Sequence, residues 1–156
     1  MKKNFKFETE AIRTQTERTP FLEHSTPLYL TSSFIFEDAE DMRASFAEEK
    51  DRNIYSRYSN PNSSEFIEKV CKMEGAEDGF AFASGMAATA TLLELLDSGS
   101  HIICMDDLYG GSNRLFNRVR KRSAGIDFAF TDLTVDGNMQ TALQENTKMI
   151  WIETPT

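Results

Sequence analysis

Residues 81–96 read AFASGMAATATLLELL. One apolar run stops at Ser84-Gly85, and a second, longer one begins at once. A chain puts its smallest residue between two buried elements where a strand turns directly into a helix, because glycine tolerates a sharp backbone path and the close approach of a ligand. The first N–H groups of such a helix have no intrahelical acceptor and lie at the positive end of its dipole. With the Ser84 hydroxyl beside them, they suit one phosphate. The same residues equally suit a plain strand-to-helix turn with Ser84 as N-cap. Neither G-x-G-x-x-G nor G-x-x-x-x-G-K-S/T occurs, so a dinucleotide or a P-loop triphosphate is unsupported.

Outward from this junction the pattern is regular. NSSEFIEKVCKMEG (62–75) predicts a helix with Asn or Ser as N-cap, Phe66, Ile67, Val70, Cys71 and Met73 in helical rhythm, and Gly75 as its stop. GFAFA (79–83) predicts a strand, and GMAATATLLELLDSG (85–99) a helix closed by Gly99. HIICMDD, IDFAFTD and KMIWIE predict further strands, separated by helices over GSNRLFNRVRKRSAG and GNMQTALQEN. Near-continuous apolar strands alternating with helices argue for an α/β fold with a mostly parallel sheet and helices on both faces. Ligands of such sheets bind beyond the carboxyl ends of the strands. There the chain offers Ser84 to Met86, Asp106 to Ser112, Thr131 to Val135 and Glu153 to Thr156.

Residues 1–60 read differently, as an extended arm or small lobe preceding a second region, 61–156. STPLYLTSSFIFED is β-rich. AEDMRASFAEEK is helical, with Ala39, Met42 and Phe46 on one face, and Asn60-Pro61-Asn62 is a turn signal. The chain ends in MIWIETPT, an apolar strand running into a loop, which predicts a piece of a longer protein.

The 156 residues suffice for a core, and 40% apolar with 27% charged residues is ordinary for a soluble globular protein. A net charge of −8 disfavours non-specific binding to nucleic acid or an anionic membrane. No run approaches the roughly 18 apolar residues of a membrane span, and the N-terminus has no apolar signal region. Cys71 and Cys104 lack metal-site spacing and, with only His24 and His101 beside them, predict no metal; two scattered cysteines suit a reducing cytoplasm.

Three further stretches carry chemistry. In DDLYGGSNRLF, Tyr109 follows a strand and precedes two glycines, where its ring suits stacking on a flat heterocycle or a surface role. In IYSRYSNPN, Tyr55 and Arg57 stand two apart, on one side of an extended segment, and suit a phosphate clamp or a surface ion pair. The basic run RLFNRVRKR is interrupted at helical spacing by Leu115, Phe116 and Val119, and reads as the solvated face of an amphipathic helix.

YSRYSNPN, ASGMAA, DDLYGGSNRLF and WIETPT, in this order, resemble the Cys/Met-metabolism (transsulfuration) family of pyridoxal-phosphate enzymes, over nearly the whole chain. The resemblance implies fold type I, the aspartate-aminotransferase-like fold. It implies pyridoxal 5'-phosphate as cofactor, with its phosphate on the amides of Gly85 and Met86 near Ser84. Tyr109 would stack on its ring and take part in proton traffic. Tyr55 and Arg57 would reach the phosphate in a neighbouring subunit's site, so that a homodimer is the minimum unit and a tetramer the usual assembly, acting on a small amino-acid substrate. Family members are longer, and their cofactor-bearing lysine, pyridine-pairing aspartate and substrate-binding arginine lie beyond the stretch matching WIETPT. The front half resembles O-succinylhomoserine sulfhydrylases and the middle resembles cystathionine γ-synthase or γ-lyase. The implied activity is γ-replacement on an O-acylhomoserine, giving cystathionine or homocysteine. A γ-lyase is the alternative within the family; a catalytically silent fragment or a phosphometabolite-binding α/β domain is the alternative outside it.

Overall fold

The computed structural model describes residues 5–14 and 18–155. The chain divides into two compact units, Met1–Ala81 and Phe82–Thr156.

In the first unit α1 (Phe7–Arg13) packs against α3 (Pro61–Glu74), and α2 (Ala39–Phe46) lies between them in sequence. α3 ends before Gly75 as the sequence predicts but begins one residue earlier, because Asn60-Pro61-Asn62, expected as a turn, forms its first turn. Pro61 takes the first helical turn, where its missing N–H costs nothing, and Asn60 caps it by accepting the Asn62 amide at 2.9 Å. Gly75 ends it in the left-handed region at φ 67°, a conformation that costs glycine least. The two asparagines also hold the extended chain beside them. Asn62 donates to the Pro27 carbonyl at 2.8 Å and accepts the Tyr29 amide at 2.9 Å, while Asn60 donates to the Tyr29 carbonyl at 3.0 Å. Asn60-Pro61-Asn62 is thus a helix start that pairs like a strand.

α2 turns a different face inward from the one expected. Met42 and Phe46 are exposed, as is Ala39, and the buried residues are Asp41, Ala44 and Ser45. The cause is a carboxylate network. Asp38 accepts the Asp41 amide at 2.7 Å, and Asp41 accepts the Glu37 amide at 3.1 Å and pairs with Lys50 at 2.8 Å and with Arg52. Satisfied on all sides, a charged residue displaces the apolar face that periodicity alone would bury.

The second unit is a three-stranded parallel sheet of order β2-β1-β3, formed by β1 (His101–Met105), β2 (Asp127–Thr131) and β3 (Thr147–Trp151). Central β1 aligns Cys104 with Phe130 on one side and with Trp151 on the other. Ile102 and Cys104 face a core completed by Leu93 of α4 (Gly85–Leu93) and by Phe116, Ile126 and Phe128. The Phe116 ring stacks on Phe128 at 4.9 Å and meets Trp151 edge-on at 5.4 Å. Ile103, of opposite parity, is fully buried on the other face. α7 (Asn138–Ala142) lies against β2.

Three expectations need correction here. GFAFA forms no strand; residues 79–83 pair with no neighbour among the described residues and Phe80 is 84% exposed, because an extended segment without a ladder has no partner for its backbone groups. The helix expected to run to Gly99 stops at Leu93, and Gly99 instead forms a turn at φ 86°. The basic helix is not regular: α5 (Gly110–Arg114) passes into a π-helical segment, Leu115–Arg120, and then into α6 (Lys121–Ser123). The wider turn buries Phe116, leaves Leu115 half-buried and turns Val119 out with Arg118 and Arg122.

Candidate active site

The start of α4 has the geometry the sequence suggests. Ser84 is extended, and its side chain caps the helix by accepting the Ala87 amide at 3.1 Å. The Gly85 and Met86 amides precede the first helical hydrogen bonds and donate to nothing among the described residues. A Cβ at Gly85 would meet no atom within 4 Å, so the space beside the helix start is open on that side. The Ser84 hydroxyl keeps its hydrogen free to donate.

Tyr109 leaves β1 three residues after Asp106 and begins α5, with its ring 65% exposed. The ring lies across Gly111. A methyl there would fall 2.3 Å from Cε1 and 2.9 Å from Cδ1 of Tyr109, and 3.0 Å from the Met86 sulfur. Tyr109 and Met86 therefore meet over one glycine, which brings the ring beside the helix start that carries the free amides.

Glu153 fixes this arrangement from the third strand. It accepts the Tyr109 amide at 2.7 Å, the Ser112 hydroxyl and the Trp151 indole N–H at 3.0 Å, and its own amide points at the Met105 sulfur at 3.0 Å. Burial alone would raise the Glu153 carboxyl, but the Ser112, Tyr109 and Trp151 hydrogen bonds outweigh it and hold the group below the usual glutamate range. The sequence places Glu153 in a strand-exit loop without marking it as a partner of Tyr109. The only available signal is an acid directly after an apolar strand, and Gly111 carries none beyond its pairing with Gly110.

Tyr55 and Arg57 lie in the first unit and come together there. The Arg57 guanidinium stands 4.8 Å from the Tyr55 ring centre and 5.2 Å from that of Tyr58. The segment is a turn, not the extended run expected: Tyr55 pairs with Ser33, and its carbonyl accepts the amides of Tyr58 at 2.8 Å and Ser59 at 3.1 Å. The turn aligns both rings with the cation. The Tyr58 phenol first, then Tyr55, holds the Arg57 cation above its ordinary pKa. Tyr58 is a neighbour the spacing argument missed.

Among the described residues, no group of three or more His, Cys, Asp or Glu could hold a metal, and no helix is long and apolar enough to cross a membrane. His101, the first residue of β1, is fully buried, with its Nδ1 2.8 Å from Thr147 Oγ1.

Comparison with known proteins supplies the family. The chain is 54% identical over 101 residues to a cystathionine beta-lyase of Coxiella burnetii, covering 65% of this chain and 26% of that protein. It is 39% identical over 150 residues to an O-succinylhomoserine sulfhydrylase of Pseudomonas aeruginosa, covering 96% of this chain and 37% of that protein. Among solved structures, metB of Corynebacterium glutamicum superposes with a TM-score of 0.85 at 34% identity, covering 97% of this chain and 38% of that one. A Campylobacter jejuni protein whose structure carries N'-pyridoxyl-lysine-5'-monophosphate superposes with a TM-score of 0.86 at 31% identity, covering 94% and 36%. The chain thus spans between 26% and 38% of the length of these relatives. Its parallel sheet and helices are those of fold type I, and the cofactor of the proteins it matches is pyridoxal 5'-phosphate. The profile of the Cys/Met metabolism PLP-dependent enzymes matches residues 8–156, and with the agreement in sequence and fold this chain belongs to that family.

Proposed function

We propose that the second unit holds the phosphate and ring of pyridoxal 5'-phosphate in an enzyme of γ-replacement on an O-acylhomoserine. The observation that carries this reading is the meeting of Met86 and Tyr109 over Gly111, beside two amides with no acceptor. The residues fit the group: a doubly charged phosphate takes the Gly85 and Met86 amides and the Ser84 hydroxyl at the positive end of α4, and the exposed Tyr109 ring supplies a flat face for the pyridine. Bound there, the cofactor supplies the electron sink for proton removal from the substrate amino acid. The amides keep it from sliding, and Tyr109 limits its tilt and offers a phenol for proton transfer.

In the overall change the Cγ–O bond to the acyl group breaks and a Cγ–S bond to cysteine or sulfide forms. The acyl group leaves as a carboxylate and the thiol releases its proton. Similarity to an O-succinylhomoserine sulfhydrylase over 96% of the chain supports replacement. A lyase is the second reading, favoured by 54% identity to a cystathionine beta-lyase and 44% identity over 102 residues to a mouse cystathionine gamma-lyase.

Residues 1–60 act, on this reading, as an arm whose Tyr55 and Arg57 complete the phosphate site of a neighbouring subunit, in a dimer at least and a tetramer by the family habit. The Arg57 guanidinium, stacked against the Tyr55 and Tyr58 rings, supports it, since its planar fork matches a phosphate. A cytoplasmic setting is part of the same reading, and two free cysteines support it. The test is to incubate the complete protein that carries these residues with O-succinylhomoserine, alone and with cysteine or sulfide. Replacement yields cystathionine or homocysteine only when the nucleophile is added. A keto acid and ammonia formed in place of the thioether or thiol even with cysteine or sulfide present would overturn replacement in favour of elimination.

A further inference from the structure

The geometry points to Glu153 as the positioning residue for Tyr109: by accepting the Tyr109 amide, the Ser112 hydroxyl and the Trp151 indole together, it clamps the exit of β1 to the exit of β3 and sets where the Tyr109 ring stands. This deepens the cofactor reading above and rests on it for its catalytic meaning, although the clamp itself can be tested without cofactor.

Besides the packing of its ring over Gly111 and the local bond from the Asn113 amide to its carbonyl at 3.1 Å, Tyr109 is held at this end through its backbone N–H. Its side chain is exposed, and no side chain caps the five-residue helix it begins. The backbone N–H reaches a carboxylate 44 residues further along the chain. The carboxylate is itself immobilised. One oxygen takes both Ser112 and Trp151, the other takes Tyr109, and Trp151 lies edge-on to the buried Phe116 ring. Three donors on one acceptor-only group demand the ionised form. An amide would present an NH2 to at least one donor, and alanine would leave all three without a partner. The titratable group facing Glu153 is the Cys104 thiol, which burial first, then the Glu153 charge, pushes up to about 12, so it stays neutral throughout the range in which Glu153 changes.

Trp151 provides the readout in the complete protein, its indole signal being assigned by its loss in Trp151→Phe. In 15N-labelled protein the Trp151 indole and Tyr109 amide signals should move together as pH falls from neutral, with one midpoint below the ordinary glutamate range. Glu153→Gln should shift both signals at neutral pH and abolish their shared titration; Glu153→Asp should restore it in part. Independent titration of the two signals, or unchanged signals in Glu153→Gln, would overturn the clamp. The wild-type titration needs no substitution, so it decides even if a variant fails to fold. In the complete protein, Glu153→Gln should weaken retention of pyridoxal phosphate about tenfold and alter the circular dichroism of the bound chromophore, while inorganic phosphate still competes as it does in wild type. Unaltered dichroism with full retention would overturn the positioning role. Wild type that binds no pyridoxal phosphate would defeat the cofactor reading instead, with the clamp still judged by the titration.

Discussion

Gly111→Ala should separate the stability of this protein from its use of Tyr109. The new Cβ would sit 2.3 Å from Cε1 of the Tyr109 ring, and ordinary contact begins at 3.4 Å, so the ring must retreat by about 1.1 Å or swing away. It is free to do so, because the clash is with an exposed side chain and not with backbone. An off-rotamer or re-rotamered tyrosine costs about 0.5–1.5 kcal/mol. Alanine within a helix gains up to about 1 kcal/mol over glycine, less in a first turn. The two nearly cancel, and the unfolding free energy should change by less than about 1 kcal/mol. Function should not be spared, since a displacement of about 1 Å of a positioned group can cost roughly 100-fold in rate. In the complete protein we expect a near-normal denaturation curve, weakened cofactor retention and turnover reduced on the order of 100-fold. Unfolding by several kcal/mol would mean that the ring is held more firmly than its exposure suggests. Full activity would mean that the ring's position over Gly111 plays no part in catalysis.

Gly85→Ala meets no atom within 4 Å, so it should leave stability unchanged or raised while crowding the two free amides, read as loss of phosphate and cofactor affinity by titration calorimetry. Cys104 is fully buried with its thiol pushed up to about 12, whereas Cys71 is half-buried; alkylation at pH 8 should label Cys71 in the native protein and Cys104 only in denaturant, by peptide mass mapping. The Lys50 hydrogen bond first, then the Glu37 amide, holds the Asp41 carboxyl below its ordinary range. A lowered folded-state value contributes stability above the unfolded pKa of about 3.9, and that contribution is lost as pH falls through the folded value. The stability gap between wild type and Asp41→Asn, measured by denaturant unfolding, should therefore be full at pH 6 and close in acid. Arg57→Ala should weaken cofactor retention in the complete protein, and mixed oligomers with a subunit lacking the cofactor lysine should regain activity if the site is shared; absence of any rescue would count against the role in trans.

The parts of the fold legible in the sequence are those set by local pattern. The strands at 101–105, 127–131 and 147–151 follow from apolar runs between helices, and α3 follows from the helical rhythm of Phe66, Ile67, Val70 and Cys71 and from its stop at Gly75, though its cap at Asn60 reads as a turn. What pattern cannot convey is partnership. GFAFA has the composition of a strand and finds no ladder. α2 has an apolar stripe but buries Asp41, because Lys50 and Arg52 are close enough to neutralise it. The π-helical segment reflects how Phe116 reaches Phe128 and Trp151, a requirement of tertiary packing. At the site the same division holds. The Ser84 cap and the free amides of Gly85 and Met86 were readable from the junction, and the pairing of Tyr55 with Arg57 from their spacing, though a turn and not a strand creates it. Tyr58, Gly111 and Glu153 were not, since each matters through a residue whose distance a linear pattern leaves open.

Strand order accounts for which loops could cooperate. In a parallel sheet every strand exit lies at one edge, yet only neighbouring strands bring their exits within hydrogen-bond reach. With the order β2-β1-β3, β1 has a neighbour on each side, and the register sets Cys104 against Trp151, so Glu153 emerges level with the loop that carries Tyr109. The exit of β2 engages that of β1 through backbone alone, the Asp106 amide donating to the Thr131 carbonyl at 3.1 Å. Asp132 turns back on its own loop, accepting the Thr134 amide at 2.9 Å and its hydroxyl at 2.6 Å. Of the two carboxylates flanking β1, Asp132 serves its own loop and Glu153 serves Tyr109. The helix start at Gly85 joins through Met86 and Gly111, a contact of side chain with backbone that needs no strand pairing. The anion-binding amides and the ring are thus tied together by two different devices, a small residue that admits the ring and an acid that holds its backbone. Removing either should displace Tyr109 while leaving the start of α4 intact.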